Sequence, residues 1–237
     1  MEQLIFADKE ITLFLNSLYT LWQDIFFYLA TSRTIWIPLY LALFWMILRR
    51  QGASGLMTVV VVALLVVVAD QLTSGLMKPL CERFRPTHDP MLQYMVHTVN
   101  GYRGGSYGFA SSHAANCFAI FGFFALVTRH IGLSISLGTW ALINSYGRIY
   151  QGVHFFGDVL VGAIIGLIIA RIVYEIYLHV ALHFFVISHH NKWTLKSGLG
   201  RSFGEDEPSV VAYTFWTTIV LLVIIVSLMT KYNGIAI

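Results

Sequence analysis

Charge is scarce in this chain. Its 15 Lys and Arg and 12 Asp and Glu make up 11% of 237 residues, where a soluble domain carries about a quarter. With 57% hydrophobic residues, that deficit excludes an ordinary water-soluble globule and makes lipid the main solvent. The net charge of +3 comes without a dense Lys/Arg tract, so no nucleic-acid partner is expected. Cysteine is nearly absent. Cys81 and Cys117 are too few for a disulfide framework and lack metal-type spacing, so we read them as unpaired and expect no metal or other cofactor. The opening MEQLIFADKE has neither the basic start nor the apolar core of a cleaved signal peptide. Internal spans are expected to do the targeting.

Long apolar runs are plentiful. A spanning helix needs about 20 mainly apolar residues, and six segments qualify: 34–49, 55–77, 112–128, 132–149, 154–178 and 210–230. The run from Val59 to Val68 is β-branched and would suggest a strand in water, but in lipid the backbone must satisfy itself and forms a helix. The fold class is therefore an all-α integral membrane protein with six transmembrane helices.

Residues 1–33 differ, because Asp8, Lys9, Glu10, Asn16, Gln23 and Asp24 interrupt the apolar positions. They predict amphipathic helices at the membrane interface, with Leu4, Leu15, Leu18, Trp22, Phe26 and Phe27 as their apolar side. The competing reading is a seventh span at 11–31. The chain divides into this N-terminal part, a core at 34–178, a loop at 179–209 and a further C-terminal transmembrane helix within 210–237. With six crossings, loop 78–111 and the turn between Arg148 and His154 share one face, and the 179–209 loop lies on the other. The Lys/Arg bias gives no clear orientation.

Three clusters carry chemistry. Lys78 and Arg85-Pro86 follow the second span; alone, two cations at a bilayer edge can simply snorkel to the headgroups. A glycine-rich loop leads into Ala110-Ser111-Ser112-His113. A helix start there presents free N–H groups to an anion, and Ser111 or Ser112 serves equally well as an N-cap. Arg148, His154 and Asp158 form the third. His154 and Asp158 are four residues apart and share a helix face on the fifth span, so the carboxylate can fix the imidazole tautomer and leave the other nitrogen to attack. Alone, such a pair also serves as buried glue between helices.

Together the clusters are specific. Lys78, Arg85 and Arg148 suit the charge of a transferring phosphoryl group. His154 is the candidate nucleophile, Asp158 its orienting group, and His113 the candidate acid for the leaving oxygen. Phosphoryl transfer asks mainly for positioning and charge stabilisation, which this set supplies without a metal.

The pattern resembles the type 2 phosphatidic acid phosphatase (PAP2) family, whose signature reads K-x6-R-P, P-S-G-H and S-R-x5-H-x3-D. The first part is intact at Lys78 to Pro86. The third is intact at Arg148, His154 and Asp158, with Gly147 in place of Ser. The second keeps Ser111 and His113 but has Ala110 and Ser112 where the family has Pro and Gly.

The resemblance covers about residues 34–178. It implies a membrane lipid phosphatase that works through a phosphohistidine on His154, with Lys78, Arg85, Ser111, Ser112 and Arg148 around the phosphate. It further implies metal independence and, for bacterial members, an inner-membrane site facing the periplasm. The candidate substrates are undecaprenyl diphosphate, phosphatidylglycerol phosphate, phosphatidate and lipid A, with membrane lipids as the surroundings; the oligomeric state is not legible.

The alternatives are an intramembrane serine protease using Ser111 with His154, which leaves three cations unexplained, and a transporter, for which no internal repeat is visible. Asp70 is read as steadying Lys78 or bonding through Thr73 or Ser74. His189-His190 is a weak metal candidate. Glu82, Arg83, His88, Asp89 and Arg103 are read as solvated loop residues.

Overall fold

A computed structural model describes residues 2–51, 55–186 and 206–233. Among these residues regular structure is helical, with one isolated bridge between Phe84 and Tyr107. The helices are α1 (Glu2–Ser17), α2 (Leu21–Ala30), α3 (Ile37–Gln51), α4 (Gly55–Asp70), α5 (Lys78–Cys81), α6 (Ser112–Thr128), α7 (Ile131–Tyr150), α8 (Phe156–Val186) and α9 (Asp206–Asn233). A π-helical stretch, Gln71–Met77, joins α4 to α5, making one continuous helix, Gly55–Cys81. The expected second span therefore runs four residues further and carries Lys78 at its end.

Among the described residues, three helices are long and apolar enough to cross a membrane: Gly55–Cys81, Phe156–Ala181 and Asp206–Tyr232. The expected span at 34–49 lies in a pair, Leu21–Ala30 and Thr34–Arg49, bent by 65° and able to count as a fourth. Pro38, without an N–H, sits in the first turn after the break, where its missing donor costs nothing. The run at 112–128 is a shorter apolar helix. That at 132–149 lies within α7, where Ser134, Ser136, Thr139, Asn144, Ser145 and Arg148 dilute the apolar residues. Six spans are thus not reproduced by length and composition, although the chain is an all-helical membrane protein.

The core joins α3, α4, α6, α7, α8 and α9 through Trp36, Leu39, Met46, Leu65, Phe123, Phe124, Leu133, Leu137, Tyr174 and Phe215. Large apolar side chains such as Val60, Leu64, Ile164, Ile168, Leu221 and Ile224 point outward, as expected of helices whose solvent is hydrocarbon. Cys81 is exposed, Cys117 buried, and both are free.

The tightest packing is between α6 and α8. A Cβ added at Gly166 would strike the carbonyl of Ala115 and approach the amide of Ala119 to 2.9 Å; one at Gly162 would strike the carbonyl of Ser111. These small residues, one turn apart, let two backbones touch, as in other membrane helix pairs. Because the neighbours are backbone, they cannot yield. Gly166→Val should therefore cost about 1–3 kcal/mol of overpacking, read as a lowered thermal midpoint in detergent; an unchanged midpoint would refute the close fit.

Of the N-terminal helices, α2 buries Phe26 and Phe27 from its expected apolar side, whereas α1 buries polar residues. On α1 it is Thr12 and Asn16 that are buried, while Leu4, Phe6 and Phe14 are exposed. Asn16 Nδ2 donates to the carbonyls of Ile149 (3.2 Å) and Tyr150 (2.8 Å), and its Oδ1 accepts from the amide of His97 at 2.7 Å. On α2, which Thr20 caps, Asp24 accepts from the Tyr150 hydroxyl at 2.5 Å and faces His97 Nε2 at 2.7 Å. The polar residues that suggested contact with headgroups instead fasten α1 and α2 to the turn after α7. That turn leads to His154.

Candidate functional site

The end of α5, the loop 82–111, the start of α6, the end of α7 and the start of α8 meet at one end of the bundle. His154 is 1% exposed and lies in the turn ahead of α8, not on the span itself as its spacing suggested. Asp158, fully buried, is in the first turn of α8. Their relation survives the correction: His154 Nδ1 faces Asp158 Oδ2 at 3.5 Å. This is long for a hydrogen bond, and the same oxygen accepts from the Phe155 amide at 3.0 Å. His154 Nε2 points the other way, 3.4 Å from an Arg85 nitrogen. Burial, then Arg85 and Arg148, hold the imidazole pKa well below 6.5. A neutral ring with one nitrogen toward a carboxylate and the other toward cations is an arrangement that can attack an electrophilic phosphorus.

Arg85 is fixed by the carbonyls of Tyr107 (3.0 Å) and Val153 (3.3 Å). Burial and the neighbouring Arg148 lower its pKa, as expected of two cations crowded together. Arg148 is 5% exposed, bonds Gln151 at 3.3 Å and leaves its Nε without a partner among the described residues. Lys78 Nζ donates to Ser74 (2.8 Å) and Ser112 (3.0 Å). Ser74 in turn donates to Asp70 at 3.5 Å, so Asp70 reaches Lys78 through one hydroxyl. Ser112 stands where the family signature has Gly, and its hydroxyl is an acceptor for that lysine.

Ser111 is the N-cap of α6, its hydroxyl accepting from the Ala114 amide at 3.4 Å, and its own amide donates to the Asp158 carbonyl at 2.9 Å. The amides of Ser112 and His113, first in the helix, have no helical acceptor and face an anion in the sense of a helix N-terminus. The His113 side chain makes no hydrogen bond to another described residue and stands close enough to His154 and Arg148 to interact electrostatically. Gly108 lets the loop pass over the pair: a Cβ there would come within 2.9 Å of Asp158 Oδ2 and 3.5 Å of His154 Nδ1.

Arg83 and α1 complete the site, and neither was expected. Arg83 donates 2.8 Å to Asp158 Oδ1 and 2.6 Å to Asp8 Oδ2, with its guanidinium 4.2 Å from the Phe155 ring centre. Asp8 also accepts from the Gly157 amide at 2.7 Å, and Thr12 from the Phe156 amide at 3.0 Å. Two residues of α1 thus cap α8, next to the orienting carboxylate. Asp89 is likewise paired, with Lys9 at 2.7 Å. Of the loop residues read as solvated, Arg83 and Asp89 are held in ion pairs.

Among the described residues no group of three or more His, Cys, Asp or Glu is placed to hold a metal ion; His189-His190 lies outside them. The PAP2 superfamily pattern matches residues 55–181, more than half of the chain and all three clusters. The chain belongs to the PAP2 superfamily. It is a helical membrane phosphatase of that superfamily. It is similar to the lipid A 4'-phosphatase of Bacteroides thetaiotaomicron, at 33% identity over 222 residues covering 92% of this chain and 94% of that protein. The lipid A 4'-phosphatase of Porphyromonas gingivalis is 36% identical over 180 residues, 76% of each chain.

Two solved structures share the PAP2 fold. One is the Bacillus subtilis PAP2-type phosphatidylglycerolphosphate phosphatase (TM-score 0.59, 21% identity, 76% of this chain and 89% of that one). The other is Aquifex aeolicus LpxE (TM-score 0.50, 24% identity, 70% and 93%).

Proposed function

We propose that this protein removes the 4'-phosphate of lipid A by way of a phosphohistidine. The observation that carries the lipid is the 33% identity with a lipid A 4'-phosphatase across 92% of the chain; the geometry above supports the route. His154 Nε2 attacks phosphorus while Arg85, Arg148, Lys78 and the first amides of α6 balance the charge on the phosphoryl oxygens. The bond to the sugar oxygen breaks, and His113 gives that oxygen its proton. Asp158 accepts from Nδ1 and so supports the positive charge that the ring acquires. A water deprotonated by His113 then attacks the phosphohistidine, which releases inorganic phosphate and restores both histidines. No step needs a metal. We place the site at the periplasmic face of a bacterial inner membrane, where members of the family with this signature act.

The hydroxyl of Ser111 is engaged as a helix cap and is not offered to His154, which goes against the serine-protease alternative.

Purified protein in detergent with EDTA is expected to release phosphate from lipid A with a higher kcat/KM than from phosphatidate, phosphatidylglycerol phosphate or undecaprenyl diphosphate. Vanadate should inhibit, and mass spectrometry should find the 1-phosphate intact. Preference for another of these lipids would overturn the substrate; activity lost in EDTA and restored by a divalent ion would overturn the mechanism.

A further inference from the structure

Beside the phosphate site lies a cavity of about 530 Å³, bounded by the α2–α3 elbow, the end of α4, α6 and α7. We propose that it receives the alcohol part of the substrate, and that this alcohol is a sugar headgroup whose hydroxyl and amide groups pair with Arg33, Gln71 and Asn116. The inference rests on the phosphatase reading of the same site and adds to it the residues that choose the leaving group.

The position follows from in-line displacement. The leaving oxygen departs on the side of phosphorus opposite His154 and next to its proton donor, His113. His113 lines this cavity, so the alcohol attached to that oxygen lies inside it. His113, Asn116 and Ile120 recur at helical spacing on one face of α6, and all three line the cavity. The cavity therefore follows α6 for about 10 Å from the reacting end.

The chemistry follows from what is left unpaired. Arg33, Gln71 and Asn116 line the cavity, and none of their side chains hydrogen-bonds to another described residue. Asn116 Oδ1 is a buried acceptor without a donor, and Trp140 Nε1, also in the lining, is a buried donor without an acceptor. Arg33 and Gln71 are exposed and bear no such cost, but a buried acceptor on Asn116 and a buried donor on Trp140 are costly to leave unmade, so a cavity built only for a hydrocarbon would not carry both. A prenyl alcohol brings no hydrogen-bonding group beyond its ester oxygen. Diacylglycerol brings carbonyls, which accept and do not donate. A glucosamine ring brings O–H and N–H donors as well as acceptors. The lining also includes Val66, Val67 and Ile120, as suits acyl chains attached to such a sugar.

The test compares kcat/KM for 4'-phosphorylated acylated glucosamine disaccharide and for dioleoyl phosphatidate in the wild type, Gln71→Ala and Asn116→Ala. Gln71 is exposed, so its variant keeps the fold; a melting curve checks Asn116→Ala. The expected result is a fall of tenfold or more in the ratio of sugar-lipid to phosphatidate kcat/KM in each variant. Dephosphorylated disaccharide lipid should also raise the thermal midpoint of the wild type and fail to do so in Asn116→Ala. Equal losses on both substrates, or an unchanged ratio, would overturn the assignment of this cavity. A wild type that releases phosphate from neither lipid would instead overturn the phosphatase reading on which the assignment stands.

Discussion

His154→Ala is expected to lower kcat by at least about 10⁴-fold, since loss of a covalent nucleophile leaves only what binding and charge stabilisation supply. The imidazole is 1% exposed and set between Asp158 and Arg85, so no other described nucleophile occupies its place. Burial and the surrounding cations keep it neutral, the form that can attack. The check is a rapid quench with ³²P-labelled lipid A. The wild type should hold an acid-labile, base-stable phosphoryl group, and the variant none. Substantial turnover by His154→Ala would end the phosphohistidine mechanism. Asp158→Asn should be milder at about 10²–10⁴-fold, because an amide there favours the wrong imidazole tautomer while the geometry stays.

The second large effect is expected at Arg83, outside the family signature. Its guanidinium joins Asp158, at 2.8 Å, to Asp8 of α1, at 2.6 Å. On the proposed route Arg83 holds the carboxylate that orients the nucleophile and so acts as a positioning residue, and groups at that remove are worth about 10–100-fold. Arg83→Ala should lose that factor in kcat with little change in KM. Arg83→Lys, able to serve one carboxylate but not both in the same geometry, should fall between.

A cavity of about 1030 Å³ borders Arg83, so free guanidinium in the buffer should partly restore Arg83→Ala. Asp8→Ala should lower kcat less than Arg83→Ala, and the double variant should lose less than the product of the two single losses. A merely structural Arg83 would give a lowered melting point, no split between kcat and KM, and no rescue by guanidinium.

These contacts also show where reading the sequence stops. Lys78, Arg85, Arg148, His154 and Asp158 could be recognised because their spacing within short segments is fixed and each type has a role in phosphoryl transfer. Arg83 sits two residues from Arg85, yet nothing in its neighbourhood distinguishes it from a loop cation at the surface. Its partners are 75 residues away in both directions. Asp8 and Asn16 read in the sequence as the polar side of an interfacial helix. A side chain that meets water and one that caps a buried helix start are the same residue types, and only the packing separates them. Length and apolarity alone do not reproduce six spans, for a related reason: α7 has the length of a span, but Ser136, Asn144, Ser145 and Arg148 dilute it, and they are buried inside the protein. The polar lining of the leaving-group cavity comes from the α2–α3 elbow and three helical segments and has no spacing to recognise.

The contact of α6 with α8 through Gly162 and Gly166 works as a ruler. One histidine comes from the first turn of α6 and the other from the turn before α8, with 40 residues of chain between them. With bare backbone against backbone, slippage by one turn, about 5.4 Å, would drive neighbouring side chains into main chain. On the proposed route the gap that phosphorus crosses is therefore graduated by the helices and not by the loops. That is why the loop before His113 can carry Ala110 and Ser112 in place of the family's Pro and Gly and still leave the two histidines in register.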